Sequence, residues 1–294
     1  MRHAACLLLL LVIPVLTAGG QPTARKVFIS ADMEGISGIS GSDQLSASGA
    51  EYNRSRKLMA DDVNAAIRGA RAAGATPIVV NDSHGSMRNL RLEDLDEGVQ
   101  LISHSFKRHG MMEGLDETFD AVIFIGYHAK ADSPRGLFAH TGSGIVRDVR
   151  VNGQSLGEGG LNTMMAAWYG VPVVLVTGDD AAVAEVGTIA TGARRVAVKR
   201  AINQRASELR PLNDVRRDIE AAAREGVAGA TRFQPRREPA YRVEIQFRET
   251  LIPQIAEILP QIERPAADTL QFTAPEMPRA YALIRLLYRY INPE

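Results

Sequence analysis

Two acids stand two positions apart in the stretch Lys26–Gly35, KVFISADMEG. In extended chain such residues point to the same side, so Asp32 and Glu34 can aim at one point. Carboxylates placed this way repel each other unless a proton or a cation lies between them. Taken alone, the pair also fits a solvated acidic loop. Other polar groups follow later segments in the same manner: Asp82 and His84 in NDSHG (Asn81–Gly85), His128 in GYHA (Gly126–Ala129), and Glu158 after Gly157. Imidazole and carboxylate together suit a borderline divalent ion such as zinc. Asp32, Glu34, His84, His128 and Glu158 make five donors, more than one closed four-coordinate site needs. They fit a pair of metals sharing a bridging carboxylate and a water, with Asp32 as the natural bridge.

Such a centre also needs a group for proton traffic or for stabilising an oxyanion. His140, in a glycine-flanked loop, can serve, although on spacing alone an ordinary loop histidine reads equally well. Glu158 at a helix start can equally favour the helix dipole. Asp179 and Asp180 fit either an N-terminal cap or groups behind the metal ligands. His104 and His109 lie among Lys and Arg and read as surface residues. There is no His-Glu-x-x-His helix and no complete dinucleotide loop, and the latter absence argues against nicotinamide enzymes.

The elements that position these groups read as α/β. Val27–Ile29, Thr76–Val80, Ala121–Ile125 and Val173–Val176 are short buried runs typical of parallel strands covered on both faces. Glu51–Ala73 carries apolar residues at helical spacing, with Gly74 as its stop. Strand, helix, strand in that order implies a right-handed parallel unit. The carboxyl ends of parallel strands share one edge, where ligands bind in open α/β sheets. Ile145–Val151 and the Asn152-Gly153 turn predict an antiparallel excursion, and Glu158–Tyr169 a helix. The expected architecture is a largely parallel central sheet with helices on both faces over 25–200. From 201 to 294 the texture changes to a smaller α+β domain, with helices near Leu212–Arg224, Ile252–Leu259 and Glu276–Tyr290 and strands at Arg242–Phe247 and Thr269–Thr273.

Residues 1–20 read as a secretory signal peptide, with Arg2 and His3 before an apolar run from Ala4 to Thr17. A retained N-terminal anchor is the alternative, because Leu16 is large for a position three before a cut after Ala18. The expected location is exported and periplasmic, with no stable membrane insertion once the leader is removed. Cys6 is the single cysteine, so the mature chain holds no disulfide and any metal must take nitrogen and oxygen ligands. The 34 basic and 34 acidic residues balance, which gives no reason to expect a nucleic-acid partner.

SADMEGISG (Ser30–Gly38), VNDSHGSMRNL (Val80–Leu90), MMEGLDETFDAVIFIGYHA (Met111–Ala129), LGEGGLN (Leu156–Asn162), VTGDD (Val176–Asp180) and AVK (Ala197–Lys199) resemble the bacterial D-aminopeptidase family. These are zinc metallopeptidases associated with dipeptide-transport operons. The resemblance implies a two-zinc site held by Asp32, Glu34, His84, His128 and Glu158, with His140 as the catalytic histidine, and association into a homo-oligomer. The spacing from His128 to His140 is about one residue longer than the family's, and family members usually lack a leader. The expected activity is hydrolysis of short peptides with D-residues at the amino end. Two rival readings are a non-catalytic envelope peptide-binding protein and a metal-dependent phosphoesterase.

Overall fold

Val27, Phe28, Ile29 and Ala31 have no solvent exposure, the signature of a central strand. The computed structural model describes Met1 and residues 25–291. The expected leader, with Cys6, falls outside the described residues. Among the described residues twelve strands occur: β1 (Arg25–Ala31), β2 (Ala75–Asp82), β3 (Gln100–Ile102), β4 (Ala121–Tyr127), β5 (Val146–Val151), β6 (Gln154–Ser155), β7 (Val173–Asp179), β8 (Arg194–Asn203), β9 (Ala206–Leu209), β10 (Tyr241–Phe247), β11 (Glu263–Ala266) and β12 (Thr269–Ala274). The α-helices are α1 (Tyr52–Ala72), α2 (Glu158–Trp168), α3 (Asp180–Ile189), α4 (Leu212–Ala228), α5 (Leu251–Ala256) and α6 (Met277–Arg285).

The main sheet has the order β3-β2-β1-β4-β7-β8-β9 and is parallel except for β9. From β1 the chain first builds outward through β2 and β3, then crosses to lay β4 on the other side of β1. The order therefore reverses between β1 and β4, and the crevice at that switch point is where α/β sheets bind ligands. Alternation along β1 serves two cores. Val27, Ile29 and Ala31 face α1 and α4, while Phe28 joins a cluster with α2, α3, α6 and the second sheet.

The second sheet is antiparallel, in the order β11-β12-β10-β5-β6. The excursion expected from Ile145–Val151 and the Asn152-Gly153 turn forms, with β5 paired to β6, and β5 also pairs with β10, which lies far along the chain. Conversely, α4 packs on α1 and the main sheet, in spite of lying beyond residue 200. The two sheets therefore interleave in sequence, because each face of the main sheet must be covered by whichever apolar surface reaches it. Strands β9 and β11 were not expected from the sequence, and helix α3 only through the cap reading of Asp179 and Asp180. Helix α5 ends sooner than the apolar pattern suggested, at Ala256.

Two glycines bring the ends of β1 and β4 together. The Gly35 amide donates to the Gly126 carbonyl at 2.8 Å, and the Asp32 amide to the Ile125 carbonyl at 2.8 Å. A Cβ on Gly35 would lie 2.0 Å from the Tyr127 carbonyl oxygen, which is backbone and cannot swing aside. Gly126 has φ +74°, and a Cβ there would meet the Asp32 carbonyl oxygen at 2.3 Å. Gly35→Ala is expected to cost about 1–3 kcal/mol through this overpacking, seen as a fall in melting temperature and in metal affinity. Gly192→Ala, whose Cβ would meet nothing within 4 Å, is the control; equal behaviour of the two variants would refute the role given to Gly35.

Candidate metal centre

Asp32 and Glu34 leave β1 and are almost fully buried. The loop that carries them is held from beneath by Lys199 of β8. Its Nζ donates to the carbonyl oxygens of Glu34 (2.6 Å), Ile36 (3.0 Å) and Ile39 (2.7 Å). Burial pushes the Lys199 pKa down to about 8, against the opposing pull of Asp179, Asp62 and Glu34.

His84 follows β2 in a loop organised by the buried Asp82 carboxylate. That carboxylate accepts from the Asn89 amide (2.5 Å), the Leu90 amide (2.7 Å) and Asn89 Nδ2 (2.7 Å), and Asn89 Nδ2 also reaches the His84 carbonyl at 2.7 Å. His84 Nε2 lies 2.7 Å from the Leu45 carbonyl oxygen. A carbonyl only accepts, so Nε2 carries the proton and Nδ1 faces the acids. Nδ1 is 2.9 Å from Glu34 Oε2 and 3.3 Å from Asp32 Oδ1.

His128 follows β4, and the same reasoning sets its ring. Nδ1 donates to the Ala129 carbonyl at 3.0 Å, leaving Nε2 inward. That Nε2 is buried without a hydrogen-bond partner. It lies 3.4 Å from Asp32 Oδ2 and 3.5 Å from Glu158 Oε2. Glu158 begins α2, and its Oε1 accepts from the Gly142 amide. His140 stacks on His128, with ring centroids 4.0 Å apart and planes 11° from parallel. Its Nδ1 donates to the Phe138 carbonyl at 2.9 Å, so its Nε2, 3.8 Å from Glu158 Oε1, has a free lone pair.

Each of the six residues named from sequence therefore stands at this one point, and they form overlapping triads. Asp32, Glu34 and His84 make one, and Asp32, His128 and Glu158 a second, with the ligand atoms of each within 4.8 Å of one another. Glu34, His128 and His140 make a third. The two oxygens of Asp32 face different histidines. An inward imidazole nitrogen without a partner, beside three buried carboxylates, fits a divalent cation held by nitrogen and oxygen.

The acids and rings perturb one another strongly. Burial and then Glu34 push the Asp32 carboxyl up to about 8. Burial also disfavours charge on Glu34 and Glu158, but His84 outweighs it for Glu34, which falls well below the usual range, and His128 brings Glu158 down to about 2. Burial opposes charge on His84 and His128, yet Glu34 and Glu158 respectively lift them well above an ordinary imidazole. His140 moves the other way, lowered by burial and by the charge of His128.

Asp179 proves to be a cap. Its carboxylate accepts from the Ala182 amide at the start of α3 and from the Leu137 amide, both at 2.7 Å. Asp180 accepts from the Ala201 amide at 2.7 Å. His104 is exposed, whereas His109 is half-buried and its Nε2 lacks a partner, so the surface reading fails there. Sequence reasoning also missed Lys107, buried in the same loop, whose Nζ bonds Asn81 Oδ1 (2.5 Å) and the Asp82 carbonyl (2.6 Å). A further chain of hydrogen bonds runs under the site: Ser83 to Ser30 (2.8 Å), Ser30 to Tyr127 (2.8 Å), Tyr127 to Asn162 (2.8 Å) and Asn162 to Tyr281 (2.6 Å).

A carboxylate–imidazole centre at the switch point of an α/β sheet, on a scaffold shared with known peptidases, defines the class: a metallo-aminopeptidase. The chain belongs to the D-aminopeptidase family, whose sequence model matches residues 25–286. It is 36% identical over 259 residues to the D-aminopeptidase of Bacillus subtilis (strain 168), covering 87% of this chain and 94% of that one. Its fold is similar to the solved Zn-dependent D-aminopeptidase DppA from Bacillus subtilis, described as a self-compartmentalizing protease. That match has a TM-score of 0.87 at 32% identity and covers 92% of this chain and 98% of that one.

Without metal, His84, His128 and Asp32 hold protons near neutral pH, and a cation must displace them. Metal affinity is therefore expected to rise with pH between 5.5 and 7.5, by about tenfold per unit for each proton released. Calorimetry in buffers of different ionisation enthalpy counts those protons. Affinity independent of pH would refute this account of the charges.

Proposed function

We propose that this enzyme is a zinc-dependent aminopeptidase that removes D-residues from the amino end of short peptides, using two cations bridged by Asp32. The observation that carries the reading is the pair of triads sharing Asp32. In this arrangement Glu34 and His84 complete one cation site, and His128 and Glu158 the other. The zinc dependence named for the Bacillus subtilis structure supports the choice of metal. The chemistry supplied by bound cations is polarisation of the scissile carbonyl and acidification of water.

The rest belongs to the chain's own side chains. His140 Nε2, neutral and oriented by the Phe138 carbonyl, accepts a proton as water attacks and returns it to the leaving amine. Its depressed pKa keeps that lone pair available near neutral pH. The Leu45 and Ala129 carbonyls fix the His84 and His128 tautomers, so each ring presents the nitrogen a metal requires.

The setting is also proposed. The apolar run from Ala4 to Thr17 supports export, and wall peptides rich in D-residues would then be the substrates at hand. Among the described residues no helix is long and apolar enough to cross a membrane. The self-compartmentalizing assembly of the Bacillus subtilis relative supports a homo-oligomer here.

His84→Ala and Glu158→Ala are expected to lose metal, and His140→Ala to keep metal while turnover falls roughly a hundredfold or more. Metal analysis with a panel of D- and L-dipeptides on leaderless protein tests this. Metal-loaded protein that leaves D-alanyl peptides intact while folded would overturn the proposal, and a full rate in His140→Ala would remove the role given to His140.

A further inference from the structure

Three cations are buried in the described structure: Lys107, Lys199 and Arg285. The two lysines are well satisfied, Lys199 by three carbonyls and Lys107 by an amide oxygen and a carbonyl. Arg285, at the end of α6, is not. It is 4% exposed, yet its Nε has no partner. Its two Nη atoms reach only the phenolic oxygens of Tyr288 and Tyr290, each at 3.4 Å. Among the described residues no carboxylate lies within ion-pair distance of it. A guanidinium cannot shed its proton, so burial leaves a fixed positive charge without a counter-ion.

Arg285 lines the cleft that opens over the metal centre. The wall includes Asp32, Glu34, His84, His140 and Glu158 of the centre together with Arg285, Tyr288 and Arg289. A short peptide whose scissile carbonyl lies at the centre would turn its free carboxylate toward Arg285, whose charge no carboxylate of the described residues answers. The cleft measures about 150 Å³, on the order of ten waters at ~10–15 Å³ each, which suits a peptide of very few residues. The planar fork of arginine can take both oxygens of a carboxylate, and Tyr288 stands beside it as a further donor.

We propose that Arg285 is a specificity-determining residue that binds the free carboxy terminus of the substrate, so that the enzyme selects short peptides ending in a carboxylate. This rests on the peptidase reading above and deepens it. Arg289, exposed and bonded to the Gly85 carbonyl at 2.9 Å, adds positive charge at the mouth.

The test compares D-alanyl-D-alanine with its C-terminal amide on the metal-loaded full enzyme, wild type and Arg285→Gln. Wild type is expected to favour the acid by roughly thirtyfold in kcat/KM, and the ratio is expected to collapse toward one in Arg285→Gln, whatever the absolute rates. A purely structural role would lower both substrates together and keep the ratio. A wild-type ratio near one, or a ratio retained in the variant, overturns the proposal. Should Arg285→Gln fail to fold, the wild-type ratio and that of Arg285→Lys, which keeps charge without the fork and should show an intermediate ratio, still decide it. Dissociation constants for the same acid and amide, taken calorimetrically, separate this proposal from the peptidase reading. Tighter binding of the acid without turnover would sink only the latter, and equal binding sinks the former.

Discussion

Three carboxylates buried at one sheet edge constrain everything around them. At about 4 Å, two like charges in a protein interior repel by about 4 kcal/mol at an effective dielectric of 20. Asp32, Glu34 and Glu158 therefore cannot all ionise unless positive charge lies among them. Without metal, protonated His84 and His128 supply it, and Asp32 keeps its own proton. Those protons are what a bound metal must displace, and the ring tautomers that the Leu45 and Ala129 carbonyls impose leave one nitrogen of each ring pointing inward.

Holding such a cluster demands rigid support, and the protein spends buried polar groups on it. Lys199 gathers three carbonyls of the loop after β1. Asp82 gathers the loop after β2. The Ser30–Tyr127–Asn162–Tyr281 chain ties β1, β4, α2 and α6 beneath the centre. Networks of this kind stabilise only when each member is satisfied. That requirement makes Arg285 stand out, since among the buried lysine and arginine side chains of the described residues it alone lacks a good acceptor.

The second sheet has a bearing on chemistry. It covers the face of the main sheet that carries Phe28 and Phe124, and it supports α6 and the turn that follows. Those segments bring Arg285 and Tyr288 over the cleft. The metal centre thus belongs to the parallel sheet, while the wall opposite it comes from the end of the chain.

The sequence alone determined the buried strands, because short β-rich apolar runs bounded by glycine and polar residues have few other ways to bury themselves. It also determined the candidate ligands. Asp32 and Glu34, His84 and His128 each follow such a run, and parallel strands must bring those ends to one edge. The family motifs sharpened that set and raised His140. Tertiary structure alone decided the rest. That β5, besides pairing locally with β6, also pairs with β10 depends on which apolar face lies free, a contact between residues almost a hundred positions apart. Whether Asp179 caps a helix or backs a ligand depends on where the Ala182 and Leu137 amides fall. Lys107, Lys199 and Arg285 read as ordinary surface cations in one dimension. Only the packed fold shows them buried, because burial is set by neighbours that are distant in sequence.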